Sequence, residues 1–142
     1  MKILILNGPN LNLIGKREPE IYGNQSLDDF IAELKGRYPK CDIDSFQSNH
    51  EGALIDKLQE AIGRYDGIVM NPGGYAHTSI ALADTIRAIQ IPVVEVHISN
   101  IYEREEYRHH SFTAEAAVKS IVGHGLEGYA EAIDYLMRNP VR

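Results

Sequence analysis

Short β-branched runs alternating with longer stretches of helical period constrain this chain more than any other feature of its sequence. Residues 2–7 (KILILN) read as a strand, and 27–37 as a helix with Ser26 as N-cap and Asp28 and Asp29 in its first turn. Residues 41–48 (CDIDSFQS) alternate as a strand does, while Leu54, Ile55, Leu58 and Ile62 recur at helical spacing within 51–64. Residues 67–71 (GIVMN) form a third strand, 76–89 a helix bearing Ile80, Leu82, Ala83, Ile86 and Ile89, and 92–97 (PVVEVH) a fourth strand. A fifth strand falls at 117–122, and a terminal helix over 126–138 has Leu126, Tyr129, Ala130, Ile133, Leu136 and Met137 as its apolar set. Such alternation implies a mostly parallel sheet covered on both faces, with right-handed crossovers. Five strands in 142 residues suit a flavodoxin-like, doubly wound α/β sheet better than a barrel of eight units. Strand order is not readable from the pattern. No repeat, low-complexity tract or linker-like stretch marks a boundary, so residues 1–142 read as a single domain.

Composition narrows the partners. The apolar start stops at Asn7-Gly8-Pro9 and reads as a buried first strand rather than a signal peptide, and no apolar run approaches the roughly 20 residues of a membrane span. One cysteine, Cys41, cannot form an internal disulfide, which fits a cytoplasmic location. A formal net charge of −6 argues against nucleic acid or an anionic membrane as the main partner. An anionic small-molecule substrate would need a local pocket of donors that opposes the global charge.

In open α/β sheets, ligands bind beyond the carboxyl ends of the strands. Here the first strand runs into Asn7-Gly8-Pro9-Asn10, the third into Asn71-Pro72-Gly73-Gly74 and the fourth into His97-Ile98-Ser99-Asn100. Any one of these is ordinary turn chemistry; together they place amides, a histidine, a serine and accessible backbone at one end of the sheet. Glu95 and His97 are two apart, so both project from one face of the fourth strand while Val94 and Val96 project from the other. Ionisable groups in a buried strand are costly unless paired. A Glu-His pair can fix the imidazole tautomer and suit it to proton donation, or serve simply as a hydrogen-bonded pair in the core.

The stretch from Leu11 to Gln25 is long for a connection without evident structure, and such segments are often lids or binding loops. It carries Lys16, Arg17, Glu18, Pro19, Tyr22 and Gly23. Tyrosine, with an ordinary pKa of about 10, is a poor base at neutral pH, and a neighbouring guanidinium favours the phenolate. Arg17 on a mobile loop could also close over a substrate and exclude water. Taken alone, Tyr22 reads more simply as a packed aromatic with a satisfied hydroxyl.

Five blocks, NGPNLNLIGKREPEIYG at 7–23, QSNHEG at 47–52, NPGGYAHTSIALADTI at 71–86, VEVHISNIYEREEYRHHS at 94–111 and GHGLEGY at 123–129, resemble the type II 3-dehydroquinate dehydratases over nearly the whole chain. Ile14 and Tyr107 stand where Leu and Phe are more familiar in that family. The resemblance implies a hydro-lyase of the shikimate pathway, or of quinate catabolism, that eliminates water from 3-dehydroquinate through an enolate, without cofactor, metal or Schiff base. It makes Tyr22 the base, Arg17 the loop arginine that supports the phenolate, Asn10 a stabiliser of the enolate through a bound water, and His97 the acid, with Glu95 orienting His97 or its neighbours. Asn71 and the backbone of Ile98 and Ser99 would hold the substrate carboxylate, and His77 and Arg108 the ring hydroxyls. Asp84 would reach a neighbouring subunit's site in a homododecamer built from trimers.

Rival chemistries find less support in the residues. His109 and His110 would diverge in a regular element, and no His-x-x-x-His or cysteine pair supplies metal ligands. An imine-forming enzyme would need a buried lysine at a strand end, yet Lys2, Lys16, Lys35, Lys40, Lys57 and Lys119 fall at starts, loops or surfaces. A flavodoxin-like small-ligand binding module is the non-enzyme alternative. Asn7 to Asn12 lacks both the GxGxxG and the GxxxxGK patterns, and a receiver domain's clustered acids are absent.

Overall fold

A computed structural model describes residues 1–15 and 25–141. Five strands, β1 (Lys2–Asn7), β2 (Asp42–Gln47), β3 (Gly67–Asn71), β4 (Val93–His97) and β5 (Lys119–Val122), form one parallel sheet in the order β2-β1-β3-β4-β5. Five helices connect or follow them: α1 (Leu27–Arg37), α2 (Glu51–Glu60), α3 (Ile80–Ile89), α4 (Phe112–Ala116) and α5 (Glu127–Arg138). Alternation along the strands sends side chains to two separate cores. Ile3, Ile5, Val69, Val94 and Val96 pack with Phe30, Ile31 and Leu34 of α1 and with Tyr129, Ile133 and Leu136 of α5. Leu4, Leu6, Ile68, Met70 and Val93 pack with Leu54 and Leu58 of α2 and with Leu82, Ile86 and Ile89 of α3. The central strands β1 and β3 are covered on both faces, which is why they read as continuous apolar runs.

The chain steps outward from β1 to β2 and then crosses back to β3 on the other side of β1. That reversal opens a crevice between the carboxyl ends of β1 and β3. Glycine lets the two loops leaving those strands touch. A Cβ on Gly8 would lie 2.4 Å from the Pro72 carbonyl oxygen, and Gly73, at φ +60, sits against Pro9. The Gly8 N–H donates to the Asn71 carbonyl at 2.8 Å, continuing the ladder one step past the strands.

Differences from the sequence reading cluster at element ends. Residues 73–77 form a tight 3-10 turn, and α3 starts only at Ile80, because the Ser79 hydroxyl takes the Leu82 N–H at 2.9 Å and caps a new helix. Ile80 is consequently exposed. Helix α2 stops at Glu60, followed by a turn with Gly63 at φ +75 that leaves Ile62 exposed rather than in the core. Met137 likewise lies on the outer face of α5. The fifth strand begins at Lys119 instead of 117, after a short helix, α4, that the pattern did not announce. The α1 cap is as expected: the Ser26 hydroxyl accepts from Asp29 N–H at 3.1 Å.

Gly8→Ala should destabilise the protein by about 2–3 kcal/mol in urea unfolding, since backbone faces the new methyl and cannot step aside. Gly36→Ala, with open space around the site inside α1, should stabilise it by about 0.5–1 kcal/mol.

Candidate active site

The crevice between β1 and β3 holds a cleft of about 210 Å³, the size for one small compact molecule. Its walls come from three strand ends: Pro9, Asn10 and Leu11 after β1; Asn71, Gly73, Gly74 and His77 after β3; and His97, Ile98 and Ser99 at the end of β4, with Ile14, Ile101, Arg104 and Arg108 completing the rim. Asn10, Asn71, His77, His97, Ile98, Ser99 and Arg108 thus line one cleft.

Among the described residues the most deeply buried carboxylate is Glu95, on β4. Ser111 Oγ donates to its two oxygens at 2.9 and 3.2 Å, Ser120 Oγ donates at 3.2 Å, and Thr113 Oγ1 donates to Oε1. Two of the three donors belong to the start of α4, so the unforeseen helix is what closes over the carboxylate. His97 Nε2 lies 3.2 Å from Glu95 Oε1, within ion-pair distance but off the line of a hydrogen bond. Burial pushes the Glu95 pKa up; His97, Thr113 and Ser111 outweigh it and hold the carboxyl below its ordinary 4.5. With Nε2 turned toward Glu95, Nδ1 is the ring atom left for the cleft.

His77 stacks on His97, with ring centroids 6.0 Å apart and planes at 24°. Its Nδ1 is 2.8 Å from the His110 carbonyl, so this nitrogen carries the hydrogen and donates. Burial, followed by the opposing His110 contact and then the neighbouring His97 and Arg108, holds its pKa below the ordinary 6.5. On the facing wall Asn10 adopts a left-handed backbone at φ 68, where asparagine is better tolerated than most residues. Its N–H donates to Asn49 Oδ1 at 3.1 Å, and Gln47 Nε2 donates to the same oxygen at 3.1 Å and to the Gly8 carbonyl at 3.1 Å. Asn71 is engaged through both ends of its amide, to Gly73 N–H and to the Tyr129 hydroxyl.

Arg108 reaches the cleft while its Nε donates to Glu105 Oε2 at 2.6 Å, a contact that raises its pKa. Arg104 was not anticipated; it and Arg108 place two guanidinium groups at a rim that the sequence reading had furnished chiefly with amides. Asp84 stands apart, exposed on α3 and 3.8 Å from Arg87, outside this cleft. Tyr22 and Arg17 lie outside the described residues, as does most of the loop that carries them. Among the described residues no three His, Cys, Asp or Glu side chains converge as a metal site requires.

Comparison with known proteins bears directly on this arrangement. The family described as dehydroquinase class II matches residues 1–137. The chain belongs to the class II dehydroquinases. A 3-dehydroquinate dehydratase of Clostridium botulinum (strain Hall) is 54% identical over 142 residues, covering 99% of this chain and 97% of the relative. The type II dehydroquinase of Butyrivibrio crossotus superposes with a TM-score of 0.94 at 48% identity, over 96% of this chain and 97% of that one. That of Propionibacterium acnes gives 0.92 at 40% identity, over 97% of each chain.

The pKa directions of Glu95 and His77 have the same consequence. Both groups bind a proton less readily folded than unfolded, so their contribution is complete above the unfolded values and is lost as pH falls through the folded ones. Stability should therefore decline on acidification below about pH 6.5 through His77, and again below about 4.5 through Glu95. Glu95→Gln should cost about 2–3 kcal/mol at neutral pH, because the hydroxyls lose their ionic acceptor. In that variant the lower step of an unfolding-versus-pH series should be reduced.

Proposed function

We propose that this chain dehydrates 3-dehydroquinate to 3-dehydroshikimate by trans elimination through an enolate, with Tyr22 as base and His97 as acid. Tyr22, helped by Arg17, takes a proton from the carbon next to the ketone. The electron pair moves onto the ketone oxygen, and Asn10 stabilises that charge through a bound water. The enolate then collapses, the hydroxyl on the β carbon leaves, and His97 delivers the proton that makes it water. The enone, the water, a protonated Tyr22 and a deprotonated His97 account for every atom, and transfer of one proton from the phenol to the imidazole through solvent restores both groups.

The observation that carries this reading is His97 set against buried Glu95 inside the family's cleft. The carboxylate lies on the Nε2 side of the ring, which leaves Nδ1 as the atom that can hand a proton to the cleft. His77 and Arg108 serve the ring hydroxyls, and Asn71 with the Ile98 and Ser99 backbone serves the substrate carboxylate. Arg104 and Arg108 add the positive charge that an anion needs near an acidic protein. No step requires a cofactor. The single cysteine suits the cytoplasm, where the shikimate pathway or quinate catabolism would supply the substrate.

The assembly we propose is a homododecamer of trimers, in which Asp84 reaches a neighbour's cleft. In support, Asp84 borders a shallow groove with Gln59, Ile62, Thr85, Ala88 and Ile89, and exposed Ile62 gives it an apolar floor suited to burial by another subunit.

Absorbance of the conjugated enone tests the chemistry. Tyr22→Phe should nearly abolish its formation, and His97→Asn should lower turnover by about 10²–10⁴-fold; full activity in either removes that residue from its role. Borohydride added with substrate should leave activity intact, whereas covalent inactivation would establish an imine. Asp84→Arg should reduce the mass measured by light scattering and the activity together.

A further inference from the structure

The Asn71 amide is fixed from both ends. Its Oδ1 accepts from Gly73 N–H at 3.1 Å, and its Nδ2 donates to the Tyr129 hydroxyl at 3.0 Å. Tyr129, in the first turn of α5, donates its own proton to Asn7 Oδ1 at 2.7 Å. The three residues are buried where β1, β3 and α5 meet, and the Tyr129 ring is wholly inaccessible. Burial raises the phenol's pKa, with Asn71 opposing, so the hydroxyl stays neutral.

A phenol has one proton to give. Because Asn7 accepts it, only lone pairs face Asn71, and only an NH₂ group can meet them. Gly73 imposes the matching demand, since an N–H must meet oxygen. The amide therefore has one orientation. Nδ2 has two hydrogens; with one on Tyr129, the other is left for the cleft that Asn71 lines. Turned over, the same side chain would present a carbonyl oxygen there and repel an anion.

We infer that Tyr129 is a positioning residue that sets the polarity of the Asn71 amide and so makes that end of the cleft a donor for a carboxylate. The assignment rests on the proposal that Asn71 holds the substrate carboxylate. It gives a purpose to the Gly-His-Gly-Leu-Glu-Gly-Tyr block at 123–129, which contributes no residue to the cleft wall.

Tyr129→Phe keeps the ring and removes only the hydroxyl. KM for 3-dehydroquinate should rise about tenfold, as expected for weakening one hydrogen bond to a charged group, while kcat changes by less than about threefold. A purely structural role would lower kcat through loss of folded enzyme and leave KM alone. Asn71→Ala should raise KM as well, and Tyr129→Phe in that background should raise it no further. Multiplying effects in the double variant, or an unchanged KM in Tyr129→Phe beside a raised one in Asn71→Ala, would overturn the inference while sparing the role of Asn71. An unchanged KM in Asn71→Ala would remove both. Should Tyr129→Phe not fold, Asn7→Ala provides the test: without its acceptor the phenol proton can turn toward Asn71 and oppose the Nδ2 hydrogens, so KM should rise, whereas a KM equal to the parent's overturns the inference.

Discussion

A carboxylate buried in the middle of a parallel sheet is expensive, and the end of this molecule that carries the cleft is arranged around one. Glu95 interrupts the apolar side of β4, where Val93 packs beside it and Met70 is its neighbour across β3. Three hydroxyls and one imidazole approach it. An unpaired carboxylate at this depth would cost several kcal/mol, so the groups around it cannot be loose. Ser111 caps α4 through Ala114 N–H with the same oxygen that it offers to Glu95, so the helix start and the carboxylate are solved by one side chain. His97 inherits its placement from that arrangement.

The remainder of the cleft follows from topology. Where the chain reverses from β2 to β3 across β1, the two strand ends diverge, and small residues allow their loops to meet backbone to backbone. Asn10 gains its left-handed turn from Asn49 at the end of β2, and Asn71 its orientation from β1 and α5. The Asn71 amide and the His77 ring are thus braced by residues far along the chain, Tyr129 and His110, which is how a site made from loops acquires rigidity.

The strands and their carboxyl ends were legible because period and turn chemistry are local. Glu95 and His97 could be set on one face from their spacing, and the Asn-Gly-Pro and Asn-Pro-Gly runs marked the crevice. What was hidden was whatever depended on sequence-distant partners. A need for donors around Glu95 could be argued from burial, yet nothing local distinguishes Ser111, Thr113 and Ser120 as those donors. Tyr129 read as one more apolar position of the last helix; its hydroxyl's partners, Asn7 and Asn71, lie in strands far back along the chain. The start of α3 was placed at 76 because nothing in Ala76, His77 and Thr78 breaks a helix, and only the capping geometry of Ser79 ends the ambiguity. Arg104 escaped notice in a run of charges that is ordinary for an exposed segment.

The cleft walls are drawn from residues 9–108, whereas the hydroxyls of Ser111, Thr113, Ser120 and Tyr129 all follow them. A nascent chain released up to the end of the rim would possess the whole ligand-facing inventory and lack every phenol or alcohol that orients Glu95 and Asn71. The last strand and helix therefore act as a keystone: they contribute little to the vault's visible surface, and until they are seated the arch beneath them has no fixed shape.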